Sequence, residues 1–227
     1  MLSAAELKSL LRSHGIRLTK RLGQHHLIDA AMIERLVDSC ALSRRDTVVE
    51  IGAGLGALTE ALAARAGRVI AVEVDGRIAG LLTERMRDHP NVTVVRQDIL
   101  SFAWERTKGA VVVGAIPYVI TSPLLVSLSE HRAFIREAWL LLQREVAERL
   151  LAGPGTKAYG RLSVLCQSRW KPARVFNVPA RAFLPPPKVD SAWLRLAPRA
   201  AFGMSAASER LFFAVVKASI VPPAIIA

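Results

Sequence analysis

The chain has 227 residues, 31 basic against 19 acidic side chains, a formal charge of +12 and an apolar content of 52%. That length accommodates one full α/β domain and a small appendage, and that charge on a well-mixed globular sequence points to a polyanion, nucleic acid first. No apolar run approaches the ~20 residues of a membrane span, no basic segment leads an apolar signal, and two lone cysteines with five histidines make no zinc pattern. The expectation is a cytoplasmic, monomeric protein with reduced core thiols and neither metal nor membrane partner.

Ala4 to His14 carries Leu7, Leu10 and Leu11 at the spacing of a short amphipathic helix. Residues Arg17 to Leu27 are basic and glycine-broken, with Lys20 and Arg21 as candidates for phosphate contacts. Asp29 is placed to cap a helix reaching Cys40, with Met32, Ile33, Leu36 and Val37 facing inward. An apolar strand, Thr47–Ile51, then runs into a turn carrying Gly52, Gly54 and Gly56, and Leu55, Leu58 and Leu62 follow at helical spacing. Strand, glycine turn and helix open a nucleotide-binding βαβ unit. The glycines admit positive φ and leave no Cβ between a ligand and backbone N–H groups. The helix N-terminus behind them favours a carboxylate or phosphate. The turn fits two cofactors. Gly52-x-Gly54-x-x-Ala57 matches the dinucleotide fingerprint, and Glu50 with Gly52-x-Gly54-x-Gly56 matches the S-adenosylmethionine pattern equally well.

The remaining elements come in order: a helix over 57–65, a strand over 68–73 ending in Glu73, a helix over 76–87 and a strand over 92–96 followed by Gln97-Asp98-Ile99. Ligands of an open α/β sheet lie outside the carboxyl ends of its strands, so Glu50, Glu73 and Asp98 are predicted to line one crevice. Glu73 suits ribose hydroxyls and Asp98 suits the exocyclic amine of an adenine. A strand over 110–114 delivers Ala115-Ile-Pro-Tyr118 to the same rim. Ser122 and Pro123 read as the N-cap and first residue of a helix. An apolar strand over 138–143, helices over 144–151 and 161–169, and strands over 173–178 and 192–196 complete an α/β, doubly wound, mostly parallel seven-stranded sheet. Between Gln143 and Arg199 basic residues greatly outnumber Glu145, Glu148 and Asp190, so the charge is concentrated on a face.

Seven separated motifs occur in a fixed order: Gly23-Gln-His-His-Leu27, Glu50-Ile-Gly-Ala-Gly-Leu-Gly56, Val72-Glu73, Gln97-Asp98, Gly114-x-Ile-Pro-Tyr118, Gly153-Pro-Gly155 with Lys157-Ala-Tyr-Gly-Arg161, and Phe183-x-Pro-Pro-Pro-Lys-Val-Asp-Ser191. With these the chain resembles the ribosomal RNA adenine N6-dimethyltransferases over residues 5 to 200, and its small-subunit members more than those that methylate the large subunit and give macrolide resistance. The resemblance implies a Rossmann-like class I methyltransferase fold over residues 1–200 and the start of a truncated helical RNA-binding domain over 201–227. It implies S-adenosylmethionine as cofactor, small-subunit rRNA in immature 30S particles as partner, and two neighbouring adenines near the 3′ end of 16S rRNA as targets. Gln24 and Leu27 would close over the cofactor. Gly52 and Gly54 would pass close to its methionine part, Glu73 would hold its ribose, Asp98 with Ile99 would hold its adenine, and His25, Glu50, Val74 and Ala115 would also contact it. Tyr118 and Phe183 would sandwich a flipped target adenine beside Ala115, Ile116 and Pro117. Lys20, Arg21, Lys157, Arg161 and Lys188 would contact RNA.

Three features depart from the family. Its members end the fourth strand in Asn-Leu-Pro-Tyr, whereas Ala115 here carries no amide oxygen to accept the N6 hydrogens. Such an acceptor is stronger in the transition state, and its loss typically lowers the rate ~10²–10³-fold. This implies weak or absent methyl transfer, either in an inactivated variant of an ordinary enzyme or in a relative that binds rRNA without methylating it. The presence of Tyr118 and Phe183, which only a substrate base needs, favours the first. His26 stands where the family usually has Phe. The start of a C-terminal helix over 211–219 runs into Pro222-Pro223, which cannot continue it.

Overall fold

The computed structural model describes residues 4–16, 25–117, 120–199, 208, 211–212 and 214–216. In chain order the elements are α1 (Ala4–Ser13), β1 (His26–Leu27), α2 (Ala30–Ser39), β2 (Thr47–Ile51), α3 (Ala57–Ala63), β3 (Arg68–Glu73), α4 (Gly76–Arg85), β4 (Val92–Arg96), β5 (Ala110–Ala115), α5 (Thr121–Glu130), β6 (Ile135–Gln143), α6 (Arg144–Leu151), α7 (Arg161–Arg169), β7 (Trp170–Val178), β8 (Phe183–Leu184) and β9 (Ser191–Pro198). Seven strands form one sheet in the order β4-β3-β2-β5-β6-β9-β7. The first five run parallel, and β9 is antiparallel to both β6 and β7. The expectation for residues 201–227 falls mostly outside the described residues.

Alternation of the strand residues divides the core into two layers. Val49, Ile51, Val112, Leu140 and Leu194 pack with Leu124, Leu125 and Leu128 of α5 and with Ala147 and Leu150 of α6. Val48, Val111, Val113, Leu141 and Trp193 pack with Ile33, Leu36 and Val37 of α2 and with Leu58 and Leu62 of α3. The central strands are apolar on both faces for this reason. Leu7 and Leu11 of α1 rest on Leu55 of the glycine turn and on Ile78 and Leu81 of α4.

The caps at Asp29 and Asp75 form as their chemistry dictates. Asp29 accepts from the Met32 amide at 3.0 Å, and Asp75 accepts from the Arg77 amide at 2.9 Å. The expected cap at Ser122 does not form. Helix α5 begins at Thr121 after Ile120, which offers no side-chain acceptor, and Ser122 and Pro123 lie inside its first turn. Every amide of a first turn lacks an intrahelical partner, so a proline marks the turn without marking its first residue. Strand β7 begins at Trp170, three residues ahead of the expected start, and runs through Pro172. It tolerates the proline because it is an edge strand of the sheet. Strand β6 likewise starts earlier, at Ile135, where Arg136 pairs with Asp46 and Glu137 with Arg195.

A second, two-stranded sheet positions the site. Strands β1 and β8 pair antiparallel, with His26 opposite Leu184 and Leu27 opposite Phe183. The ladder is reinforced by Ile28 donating to the Ala182 carbonyl at 2.9 Å and by a 2.7 Å bond between His25 Nδ1 and the Pro185 carbonyl. Asp190 ties down the other end of the proline-rich segment by accepting from the Ala180 amide at 2.9 Å.

Candidate cofactor and substrate site

The carboxyl ends of β2, β3 and β5, the start of the 3₁₀ turn after β4, and strand β1 enclose a pocket of about 240 Å³. Its wall includes every described residue expected at a cofactor site: His25, Leu27, Glu50, Gly52, Gly54, Glu73, Val74, Asp98, Ile99 and Ala115. His26, Gln97 and Pro117 line it as well. Lys20, Arg21, Gln24 and Tyr118 lie outside the described residues. Ile116 is buried beside the pocket, and its amide donates to the Leu141 carbonyl at 3.1 Å. Lys157, Arg161 and Lys188 are exposed, away from the pocket wall.

The glycine turn works differently from the sequence expectation. Gly52 and Ala53 donate their amides to the Val72 carbonyl, and Gly56 donates to Ala53. The Gly54 amide donates to Glu73 Oε2 at 2.9 Å, and the Asp75 amide donates to Glu73 Oε1 at 3.0 Å. These donors are therefore occupied by the protein itself. What the turn contributes is space and a rigid carboxylate. Gly54 sits at φ +56°, and a Cβ there would meet His26 Nδ1 at 3.1 Å. The two amides orient the Glu73 carboxylate, which remains able to accept further bonds from diol hydroxyls.

Glu50 is 1% exposed, and its Oε2 has no hydrogen-bond partner among the described residues. Burial pushes this carboxyl up to about 8, the charge of Glu73 adds to the rise, and Thr59 opposes it. Such a group is incomplete without a donor or cation in the pocket. Asp98 uses Oδ1 to cap Leu100 at 2.9 Å and is otherwise exposed at the rim. Val74 is 67% exposed, an apolar surface at the same rim. His26 is held neutral, with burial and the neighbouring His25 taking it down to about 4.

Phe183 is placed less simply. It pairs with Leu27 of the pocket wall but does not itself line the pocket: it is 5% exposed and belongs to the core cluster of Leu27, Val178 and Trp193, with Ala115 against the same cluster. The two-residue ladder that pairs them was not legible in the sequence, because two residues carry no periodicity. The buried thiols of Cys40 and Cys166 are raised by burial and lie in the core, remote from nucleophilic use. Among the described residues, no cluster of three or more His, Cys, Asp or Glu could hold a metal ion, and no helix is long and apolar enough to cross a membrane.

A sequence profile described as ribosomal RNA adenine dimethylase matches residues 15–222. The ribosomal RNA small subunit methyltransferase A of Anoxybacillus flavithermus is 40% identical over 220 residues, spanning 93% of this chain and 75% of that protein. A dimethyladenosine transferase from Plasmodium falciparum superposes with a TM-score of 0.76 at 31% identity, over 85% of this chain and 70% of that one. The 23S rRNA methyltransferase ErmE superposes with a TM-score of 0.70 at 36% identity, over 84% of this chain and 77% of that one.

Proposed function

The chain belongs to the ribosomal RNA adenine dimethylase family, and from that premise we propose that it dimethylates N6 of two neighbouring adenines near the 3′ end of small-subunit rRNA, acting as a cytoplasmic monomer on immature 30S particles, with a rate lowered by Ala115. Membership makes it an rRNA adenine dimethyltransferase that uses S-adenosylmethionine. The small-subunit assignment rests on the 40% identity to a small subunit methyltransferase A and on the Pro185-Pro-Pro-Lys-Val-Asp-Ser191 segment.

The observation that carries the cofactor assignment is the unfinished chemistry of the pocket. An oriented Glu73 carboxylate, an orphaned Glu50 oxygen, a bare glycine backbone and an exposed Val74 meet around one volume. In this reading Glu73 holds the ribose, Asp98 and Ile99 hold the adenine against Val74, and Glu50 and Gly54 flank the amino-acid part. Gln24, His25 and Leu27 close over it. S-adenosylmethionine, when bound, supplies an electrophilic methyl group on a sulfonium. The protein's share is position and electrostatics.

The target adenine leaves its stack and enters beside Pro117. Tyr118 stacks on it, and Phe183 forms the opposite wall once Leu27 yields. An adenine amine is a poor nucleophile because its lone pair is delocalised into the ring. Acceptors on its N–H bonds draw the nitrogen toward a tetrahedral form. The Ile116 carbonyl supplies one acceptor; Ala115 supplies none from its side chain. Lys20, Arg21, Lys157, Arg161 and Lys188 neutralise phosphates of the RNA backbone.

Ala115 also favours a second reading, a ribosome-assembly factor that binds immature subunits without methylating them. Mass spectrometry of nucleosides from small-subunit and large-subunit rRNA, after incubation with the protein and S-adenosylmethionine, decides. Dimethyladenosine in small-subunit rRNA is expected. Its appearance in large-subunit rRNA alone overturns the substrate assignment, and no methylation of either supports the binding-only reading.

A further inference from the structure

We propose a second RNA-contacting surface at the antiparallel end of the sheet, where Arg35 lies over the ring of Phe176, Arg195 lies over that of Trp139, and Lys171 shares their face. The inference rests on the RNA-substrate reading above and names a contact that reading does not require. None of these five residues lines the cofactor pocket.

Sheet register places them together. Residues paired directly across antiparallel strands point to the same face. Phe176 of β7 is opposite Trp193 of β9, Ala173 is opposite Arg195, and Lys171 is opposite Ala197. On the other side of β9, Trp139 of β6 is opposite Arg195. One face therefore carries Lys171, Phe176, Arg195 and Trp139, with Ala173 between Lys171 and Phe176. Arg35, from α2 on the same side, lays its guanidinium 4.2 Å from the Phe176 ring centroid. Arg195 lies 5.6 Å from the Trp139 centroid.

The two guanidinium groups are prepared for a base. Arg195 donates from Nε to Glu137 Oε2 at 2.7 Å, which fixes its plane, and its side chain is still 50% exposed. A guanidinium stacked on a ring by one side offers its other side to an unpaired nucleobase. Glu137 neutralises Arg195, whereas Arg35 and Lys171 are exposed and have no acid partner among the described residues, so the patch is cationic. On a chain of charge +12 this combination fits a polyanion with flat faces, which is single-stranded or looped RNA.

The same strand is ill suited to a protein partner that adds a β-strand. Strand β7 is interrupted by a bulge at Val175, carries Pro172 and exposes Lys171, three devices that blunt an edge. The bulge has a second effect. It shifts the register by one residue, and that shift brings Phe176 onto the face shared with Trp193 and under Arg35.

The test uses the full chain with Arg35→Glu and Lys171→Glu combined, beside a control of equal charge change, Arg106→Glu with Lys108→Glu, at exposed sites before β5. Filter binding is measured over a range of salt on two probes, immature small-subunit particles and naked small-subunit rRNA. The first pair is expected to weaken binding to both probes about tenfold and to make the log–log salt dependence shallower by about 1–1.5, while the control changes affinity by no more than about twofold. Arg35→Lys, which keeps the charge and loses the planar stack, is expected to fall between parent and double variant. Melting temperature and calorimetric binding of S-adenosylhomocysteine are expected to match the parent, which separates lost contact from lost fold. Equal weakening by both pairs overturns the proposal in favour of bulk charge. Weakening on particles with none on naked rRNA overturns it in favour of a ribosomal protein contact. A parent that binds neither probe overturns the RNA reading itself, and this surface with it.

Discussion

Two single residues dominate the chemistry at the smallest scale. Ala115 ends β5 on the pocket wall, and in the proposed reading an asparagine amide there would accept from the N6 hydrogens. Ala115→Asn is expected to raise dimethyladenosine formation on immature particles by about 10²-fold, the size of one transition-state hydrogen bond, with S-adenosylhomocysteine affinity changed by less than about threefold. An unchanged rate in a stopped-time methylation assay removes Ala115 as the cause of any defect. Glu50 makes a pH prediction. Its folded carboxyl titrates near 8, against 4.5 when exposed. Between those values the folded state holds a proton the unfolded chain has lost, so this group's contribution makes stability fall as pH rises from about 4.5 to about 8. Glu50→Gln cannot ionise and should therefore melt higher than the parent at pH 7, by on the order of 2–3 kcal/mol, with the difference vanishing near pH 4. Melting curves at both pH values check this, and a parallel pair of curves would refute it.

Elements follow their local code where periodicity is long and lose legibility where it is short. The glycine turn, the Asp29 cap and the parallel strands were legible, the strands because burial on two faces writes continuous apolar runs, whereas the Asp75 cap was not read from the sequence. The acids Glu50, Glu73 and Asp98 were legible as one crevice from their place at strand ends. Three other things were not. The β1–β8 pairing joins residues 26–27 to 183–184, and no local pattern encodes a contact across that separation. The start of β7 was hidden by Pro172, which only its edge position excuses. The use of the turn amides by Val72 and Glu73 was hidden because donors look free until their partners are placed. The turn also carries a steric prediction. Gly56 has φ +86°, and a Cβ there would stand 2.6 Å from Leu82 Cδ1 of α4. Gly56→Ala is expected to lower unfolding free energy by about 2 kcal/mol, from left-handed strain plus displacement of Leu82. Denaturant midpoints measure it, and an unaltered midpoint contradicts the packing described.

At the scale of the molecule, the sheet closes out of chain order. The last strand, β9, lies between β6 and β7, and β7 has no other neighbour in the sheet. Removing residues 191–198 is expected to abolish a cooperative unfolding transition, since Trp193, Leu194 and Leu196 also leave both core layers. A sharp transition in circular dichroism from such a variant would show that the first five strands stand alone. The late arrival of β9 has a further consequence for a chain made N-terminus first. While residues up to about 180 have left the ribosome, β7 has no β9 to pair with, and β1, which carries His26 and Leu27 to the pocket, still lacks the β8 ladder that fixes it. A pocket whose own lining is complete by residue 120 thus waits for a pairing partner about sixty residues later to hold its β1 edge in place.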